Sequence, residues 1–352
     1  MVLLHSVIKF RLGFFGVSTP SFGAGFEDEC VMDNQDDFFA GSGFMGIVAP
    51  STLYGVHDGS MYISGPSGVV QVAGQNEAAI QEALSESGAL IPGAREAVQG
   101  LHQLLEDPRT SRTVSYLLCG ARSCEDVLED MARLKRARIL LFGCGGIGST
   151  ASLLLAGSGI GHMTVIDGDR IEESNLNRQL FWRRSEVGAF KADVLKDILQ
   201  EKFPGMYVET VKHNLDLDDA DRLIAGGYDA MVVTADEPVT LASECKRLAD
   251  KHGIPVVSGG YLHRMCMTNF YDGNPINSTV STSDDAPPQR FDWRRLPRGI
   301  MPSYGPSNFA LASILASSVI ASLARRTLGS PVQHSVVWDA NSVPLEFNTL
   351  IG

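Results

Sequence analysis

The chain has 352 residues, 44% of them hydrophobic and 20% charged, the make-up of an ordinary folded protein with more length than one core usually holds. Its formal net charge of −12 excludes a general nucleic-acid binder, which needs a basic face, and no apolar run reaches the ~18 residues of a bilayer span. The six cysteines, Cys30, Cys119, Cys124, Cys144, Cys245 and Cys266, form no CxxC pair and no Cys/His ligand spacing, so reduced thiols and a cytoplasmic location are expected.

The opening residues, MVLLHSVIKFRLGFFGV, are apolar but broken by His5, Lys9 and Arg11. They lack the order of a signal peptide, and they predict a strand over 7–17. Strands at 44–53, 61–63 and 69–72 and a helix at 76–87 complete a small α+β region over 1–100. It carries no catalytic constellation and reads as a binding module, with a purely structural cap as the alternative. Residues 101–137 read as a helical arm, with helices at 94–105 and 125–134 on either side of Arg109-Thr-Ser-Arg112. The basic cluster Arg133, Lys135, Arg136 and Arg138 reads as a solvated helix end.

From residue 138 strands and helices alternate, the mark of a parallel α/β sheet. Strands are predicted at 139–142, 163–166, 207–212, 230–234 and 255–258, and helices at 187–203 and 239–252. Beyond Gly259-Gly260 the pattern changes to strands at 265–271, 335–338 and 343–349, with a close-packed Ala- and Ser-rich helix at 309–323 and a long loop at 278–298. The predicted fold class is α/β, a Rossmann-like and mostly parallel sheet with antiparallel C-terminal strands, preceded by the small α+β domain.

The chemistry concentrates in residues 138–179, RILLFGCGGIGSTASLLLAGSGIGHMTVIDGDRIEESNLNRQ. An apolar run breaks into Gly143-Cys-Gly145-Gly146-Ile-Gly148, a small-residue segment follows, and a second apolar run ends at Asp167. That is a strand, a glycine turn, a helix and a parallel strand, the unit that holds a nucleotide. Glycines there allow a tight turn and let backbone N–H groups approach phosphate at the positive end of the helix. NAD and FAD proteins share this device, and Asp167, nineteen residues beyond Gly148, stands where an acid meets ribose hydroxyls. A dehydrogenase or a nucleotide sensor therefore fits the loop by itself. Arg178 favours ATP, because hydride transfer needs no cation over additional phosphate charge.

The run GCGGIG, then IDGDRIEESNLNRQ, then Gly188-Ala-Phe-Lys191, then VVTADEP ending at Pro238 resembles the ubiquitin-activating-type superfamily, which includes the ThiF and MoeB adenylyltransferases. The resemblance covers residues 134–260 in order and spacing. The long front region, the Arg109-Thr-Ser-Arg112 stretch and segment 298–323 are most similar to the peptide-maturing branch, that of the microcin C adenylyltransferase and the pantocin-type maturases. The resemblance implies a winged peptide-clamp domain over 1–100 and an ATP-binding adenylation domain over 138–352, with the crossover loop at 278–298.

It also implies roles. Gly143, Gly145, Gly146 and Gly148 line the phosphate and adenosine cradle; Asp167 binds the ribose, with Asp169 close by. Asn175, Arg178 and Gln179 face the triphosphate and Lys191 reaches the phosphates. Asp236 holds Mg²⁺, with a helix N-cap ahead of Pro238 as its other reading. Arg112 crosses a homodimer interface to the partner's ATP. For Arg178 and Lys191 the bland reading is a surface salt bridge.

The chain departs from the family where zinc-binding CxxC pairs are usual: it has Pro275-Ile-Asn-Ser-Thr and Leu345-Glu-Phe-Asn instead. Structural zinc is not expected, and a 278–298 loop without cysteine argues against transthiolation. Arg290, Arg294 and Arg295 in that loop are either substrate contacts or a solvated charge run. The implied activity is ATP- and Mg²⁺-dependent adenylation of a carboxylate on a ribosomally made precursor peptide. It ends in nucleotide attachment, or in capture of an activated Glu or Asp side chain with dehydration and cyclisation. Adenylation of the C-terminus of a sulfur-carrier or ubiquitin-like protein is the alternative. The expected partners are the peptide and a second copy of the chain, with no nucleic acid and no membrane.

Overall fold

The computed structural model describes residues 37–40, 43–74, 76–215, 217–235, 240–274 and 302–340. The chain divides into two units, Met1–Ala132 with Arg325–Leu328, and Arg133–Ala324 with Gly329–Gly352. The strands expected at 7–17 and 343–349 and the loop at 278–298 lie outside the described residues.

In the first unit β1 (Asp37–Ala40), β2 (Gly43–Val48) and β6 (Leu90–Pro92) form one antiparallel sheet. A second consists of β3 (Leu53–His57), β4 (Ser60–Gly65) and β5 (Gly68–Gln71). The single strand expected at 44–53 is thus two, because the chain turns after Val48, with Thr52 N–H donating to the Ala49 carbonyl at 2.9 Å. Asp58 and Gly59, at φ 47° and 74°, close the β3–β4 hairpin with the left-handed pair that a two-residue turn requires. Every residue of β3 is exposed, which removes the alternation that marks a half-buried strand.

The helix Glu77–Glu86 begins where Asn76 Oδ1 accepts the Ala79 N–H at 2.9 Å. Its Ile80, Ala83 and Leu84 join Ile63, Val72 and Ala89 in this unit's core. Within the stretch expected as a helical arm, the residues around Arg112 form a helix of their own, Ser111–Leu118, that buries Val114, Leu117 and Leu118. The chain returns to this unit at Arg325–Leu328. There Asp130 Oδ2 accepts from the Thr327 N–H and hydroxyl, each at 2.9 Å, and Arg326 pairs with Asp126 and Glu129 at 3.2 and 2.7 Å.

Among the described residues the second unit carries a seven-stranded sheet. Its strands are β7 (Arg138–Phe142), β8 (His162–Ile166), β9 (Tyr207–Val211), β10 (Ala230–Val233), β11 (Val256–Leu262), β12 (Met265–Tyr271) and β13 (His334–Asp339). Their order is β13-β12-β11-β10-β7-β8-β9. Pairings from β9 through to β11 are parallel, and β12 and β13 run antiparallel, so the fold is the α/β class read from the sequence. β7 and β8 are buried at every position but the first, as strands covered on both faces must be. Leu140, Met231, Val233 and Val256 of the sheet pack with Ile224 of the helix Leu217–Ala225 and Leu248 of the helix Thr240–His252.

The helix Gly305–Leu323 is long and apolar enough to cross a membrane by length and composition. Leu311, Ala312, Leu315, Ala316 and Val319 are nonetheless buried, and the helix packs against the helix Gly146–Gly157, β11 and β12. Two further expectations need correcting. The helix predicted from 187 starts at Lys191, since Gly188 sits at φ 93° and ends a separate 3₁₀ turn at Arg184–Glu186. Arg138 is not simply solvated: Nη1 donates to the Gly226 and Gly227 carbonyls at 3.1 and 2.8 Å, and the guanidinium lies 4.7 Å over the Tyr228 ring.

Candidate active site

β7 lies between β8 and β10, and the chain order reverses at this point, so a crevice opens beyond the carboxyl ends of the three strands. The backbone leaves β7 through Gly143 at φ 90°, where a Cβ would meet the Ala235 nitrogen at 2.8 Å. A Cβ on Gly148 would lie 1.8 Å from the Gly143 carbonyl oxygen, so this glycine brings the helix Gly146–Gly157 onto its own strand. Gly145 and Gly146 are half-buried on the cavity floor. The first N–H groups of that helix have no partner inside it and form a ready anion site.

Asp167 follows β8 and ties the two turns together. Its Oδ2 accepts the Cys144 N–H at 2.6 Å and its Oδ1 the Asp169 N–H at 2.8 Å. Burial pushes its carboxyl above the usual range, and the Lys191 aminium pulls it partly back. The Cys144 thiol, fully buried beside Asp167, is pushed well above its usual range, so at neutral pH it is a packed SH and no nucleophile.

The loop from 170 to 190 folds back on itself. Ile171 N–H donates to Ala189 O at 2.9 Å, Gly188 N–H to Ile171 O at 2.8 Å, and the Arg170 guanidinium covers the Phe190 ring at 3.9 Å. This return sets Lys191 beside Asp169: the Lys191 N–H donates to Asp169 O at 3.0 Å, and Nζ to Oδ2 at 2.7 Å. Lys191 is buried while Asp169 is exposed.

Within the same loop, Asn175 Oδ1 accepts the Glu172 N–H at 3.1 Å, and Gln179 Oε1 accepts the Trp182 indole N–H at 2.6 Å. Those oxygens hold the loop, leaving the Gln179 amide nitrogen towards Gly145. Arg178 donates to Ser174 O at 2.6 Å and to Asn177 Oδ1 at 3.0 Å, and meets no carboxylate among the described residues. Its charge is therefore open to an anion.

Gly143, Gly145, Gly146, Asp167, Asp169, Asn175, Arg178, Gln179 and Lys191 all line one cavity of about 650 Å³, a size suited to a small-molecule ligand. Gly148 does not line it and packs instead against Gly143 and Thr234. Asp236 lies outside the described residues, and Arg112 is exposed on a helix of the first unit. Among the described residues no three His, Cys, Asp or Glu side chains gather as a metal site.

The opposite wall was not read from the sequence. It is built by Tyr261 at the end of β11, Ser303, which shares a hydrogen bond with the Tyr261 hydroxyl, and Asn308 on the helix Gly305–Leu323. The available signal was polar: Ser307 and Asn308 stand on the buried stripe that continues as Leu311, Ala312 and Leu315. A Cβ on Gly146 would lie 2.1 Å from Asn308 Nδ2, so Gly146 is a glycine because this amide occupies the space.

The fold is similar to that of E. coli MccB crystallised with AMPCPP and MccA, with a TM-score of 0.62 at 20% identity over 85% of this chain and 98% of that one. It is also similar to PaaA, with a TM-score of 0.59 at 20% identity over 83% of this chain and 96% of that one. At that identity the likeness is one of fold. In sequence, residues of this chain are 38% identical over 137 positions to the adenylyltransferase and sulfurtransferase MOCS3 of Culex quinquefasciatus, covering 38% of this chain and 30% of that protein. The adenylyltransferase and sulfurtransferase UBA4 of Eremothecium gossypii is 34% identical over 153 positions, covering 42% of this chain and 34% of that protein. The chain thus spans about a third of the length of the curated relatives it matches. The ThiF family model matches residues 123–349, more than half of the sequence and the whole of the cavity just described. The chain belongs to the ThiF family.

Proposed function

We propose that the chain is an ATP-dependent adenylyltransferase that activates a carboxylate. The observation that supports this most is the gathering of Lys191, Arg178 and the open N-terminus of the helix Gly146–Gly157 around one cavity, with Asp167 at its edge. A carboxylate oxygen attacks the α-phosphorus of ATP, the bond to the β-phosphate oxygen breaks, and pyrophosphate leaves with the electron pair. Charge grows on the phosphoryl oxygens as this happens. The helix N–H groups fix the triphosphate, and Lys191 and Arg178 offset the developing charge. Asp167 takes the ribose hydroxyls on the lone pairs that its two backbone contacts leave free. Mg²⁺, when bound with the triphosphate, neutralises phosphate charge; Asp236 is the residue proposed to hold it.

The substrate proposed is a peptide carboxylate. The first unit supports this reading, because among the described residues β3 is an edge strand whose five residues are all exposed, among them Leu53 at 64% and Val56 at 64%. An open strand edge with apolar side chains suits an extended peptide. The second reading, adenylation of a carrier protein's C-terminus, is favoured by the relatives in sequence, both named as adenylyltransferase and sulfurtransferase. A homodimer in which Arg112 serves the partner's site belongs to either.

Carboxylate-dependent exchange of labelled pyrophosphate into ATP tests the activity, run once with candidate precursor peptides and once with a sulfur-carrier protein. Exchange driven by peptide supports the first reading, and exchange driven only by the carrier supports the second. Lys191→Ala is expected to lower it by about 10²–10³-fold. Its ion pair with the exposed Asp169 contributes little to stability, so the melting temperature changes by no more than a few degrees. Full exchange by Lys191→Ala contradicts the mechanism.

A further inference from the structure

Asn308 has no part in the reaction described above, yet its surroundings are those of a ligand-binding group. It is 1% exposed, and neither its Nδ2 nor its Oδ1 has a hydrogen-bond partner among the described residues. Buried side-chain amides are otherwise almost always paired, since an unpaired one carries the full loss of its hydration. The amide stands in the cavity wall, and Gly146, the first residue of the helix Gly146–Gly157, lacks a side chain where Nδ2 sits. The donor is therefore held against the helix N-terminus, where the unpartnered backbone N–H groups converge.

We propose that Asn308 binds the nucleotide, its Nδ2 donating to a phosphoryl oxygen held at the start of the helix Gly146–Gly157. The assignment rests on the ATP reading of this cavity. Three observations fit phosphate better than adenine or ribose. The amide lies at the glycine turn, and Asp167, the group for hydroxyls, stands on the β8 side of it, where it accepts the Cys144 N–H. The amide abuts Gly146, the first residue of the helix, whose opening N–H groups hold an anion in common with it. And Asn308 is neutral: a buried cation there would need its own counter-ion, whereas an amide adds a donor without one. Lys191 and Arg178 supply charge, and Asn308 supplies a fixed direction.

The test compares the wild type with Asn308→Leu, which keeps the shape and removes both polar atoms, and with Asn308→Asp, which keeps the shape and puts a carboxylate against the phosphate. Melting temperatures are read without ligand, with ATP and Mg²⁺, and with adenosine. Asn308→Leu is expected to melt no lower than the wild type without ligand, because the unpaired amide is gone. It should lose more than half of the rise in melting temperature produced by ATP and keep the whole of that produced by adenosine. Asn308→Asp should lose more of the ATP response than Asn308→Leu. Pyrophosphate exchange by Asn308→Leu should fall by about 10²–10³-fold, the range for one lost donor at a site of growing charge. An unchanged ATP response in both variants overturns the assignment and leaves the ATP reading standing. Equal losses with ATP and adenosine overturn the phosphate contact. A wild type that gains no stability from ATP overturns the ATP reading and the assignment together.

Discussion

Burial pushes the Asp167 carboxyl above its usual range, while the Lys191 aminium and the N–H groups of Cys144 and Asp169 pull it back. An acid whose folded-state pKa is raised binds its proton more tightly in the folded chain than in the unfolded one. Below the unfolded pKa both states are protonated and the group makes no difference; above the folded pKa its charge destabilises the fold in full. The wild type is therefore predicted to lose stability relative to Asp167→Asn as pH rises upward from the ordinary carboxylate range, through the raised pKa of the folded chain. Melting curves of the two chains across that interval check it, and a gap that stays constant with pH contradicts it. Asn175 and Gln179 make a related point at this scale. Their oxygens are spent on Glu172 N–H and the Trp182 indole, so they shape the loop that carries Arg178 as well as facing the cavity.

Among the elements, the strand–turn–helix of β7 and Gly146–Gly157 sets the site, and Gly148 sets the element. With a Cβ 1.8 Å from the Gly143 carbonyl, Gly148→Ala must push helix from strand. The expected cost is about 1–3 kcal/mol or more, together with loss of ATP binding, measured by urea unfolding and by the ATP-induced rise in melting temperature. A variant as stable as the wild type that still binds ATP contradicts it. Much of this unit was legible in sequence because local signals agreed: apolar runs in β7 and β8, glycines at fixed spacing, and Asp167 at the strand end. Other parts were not legible for physical reasons. β3 has no buried face to produce a period, and the Asp58-Gly59 turn was its only mark. The helix Ser111–Leu118 is too short for a long pattern. Asn308 gains its meaning from contact with Gly146, 162 residues away in the chain, which no local reading can supply.

For the whole molecule, the two units draw on distant parts of the chain, since Arg325–Leu328 belongs to the first unit, where the Asp130 carboxylate accepts the Thr327 N–H. The proposed homodimer makes a claim that neither unit can meet alone. If Arg112 serves the partner's site, Arg112→Ala and Lys191→Ala fail in different chains of a mixed dimer. Mixing the two inactive variants is then predicted to restore up to about a quarter of wild-type exchange, because half the dimers are mixed and each has one intact site. No recovery on mixing contradicts the shared site. The central claim is that a substrate carboxylate attacks the α-phosphorus of ATP in this cavity. Its most direct test is a substrate carrying ¹⁸O in that carboxylate, with the label followed through turnover after the acyl group has been captured. The account predicts one ¹⁸O atom in the AMP released; label in orthophosphate, with ADP as the nucleotide product, would contradict it.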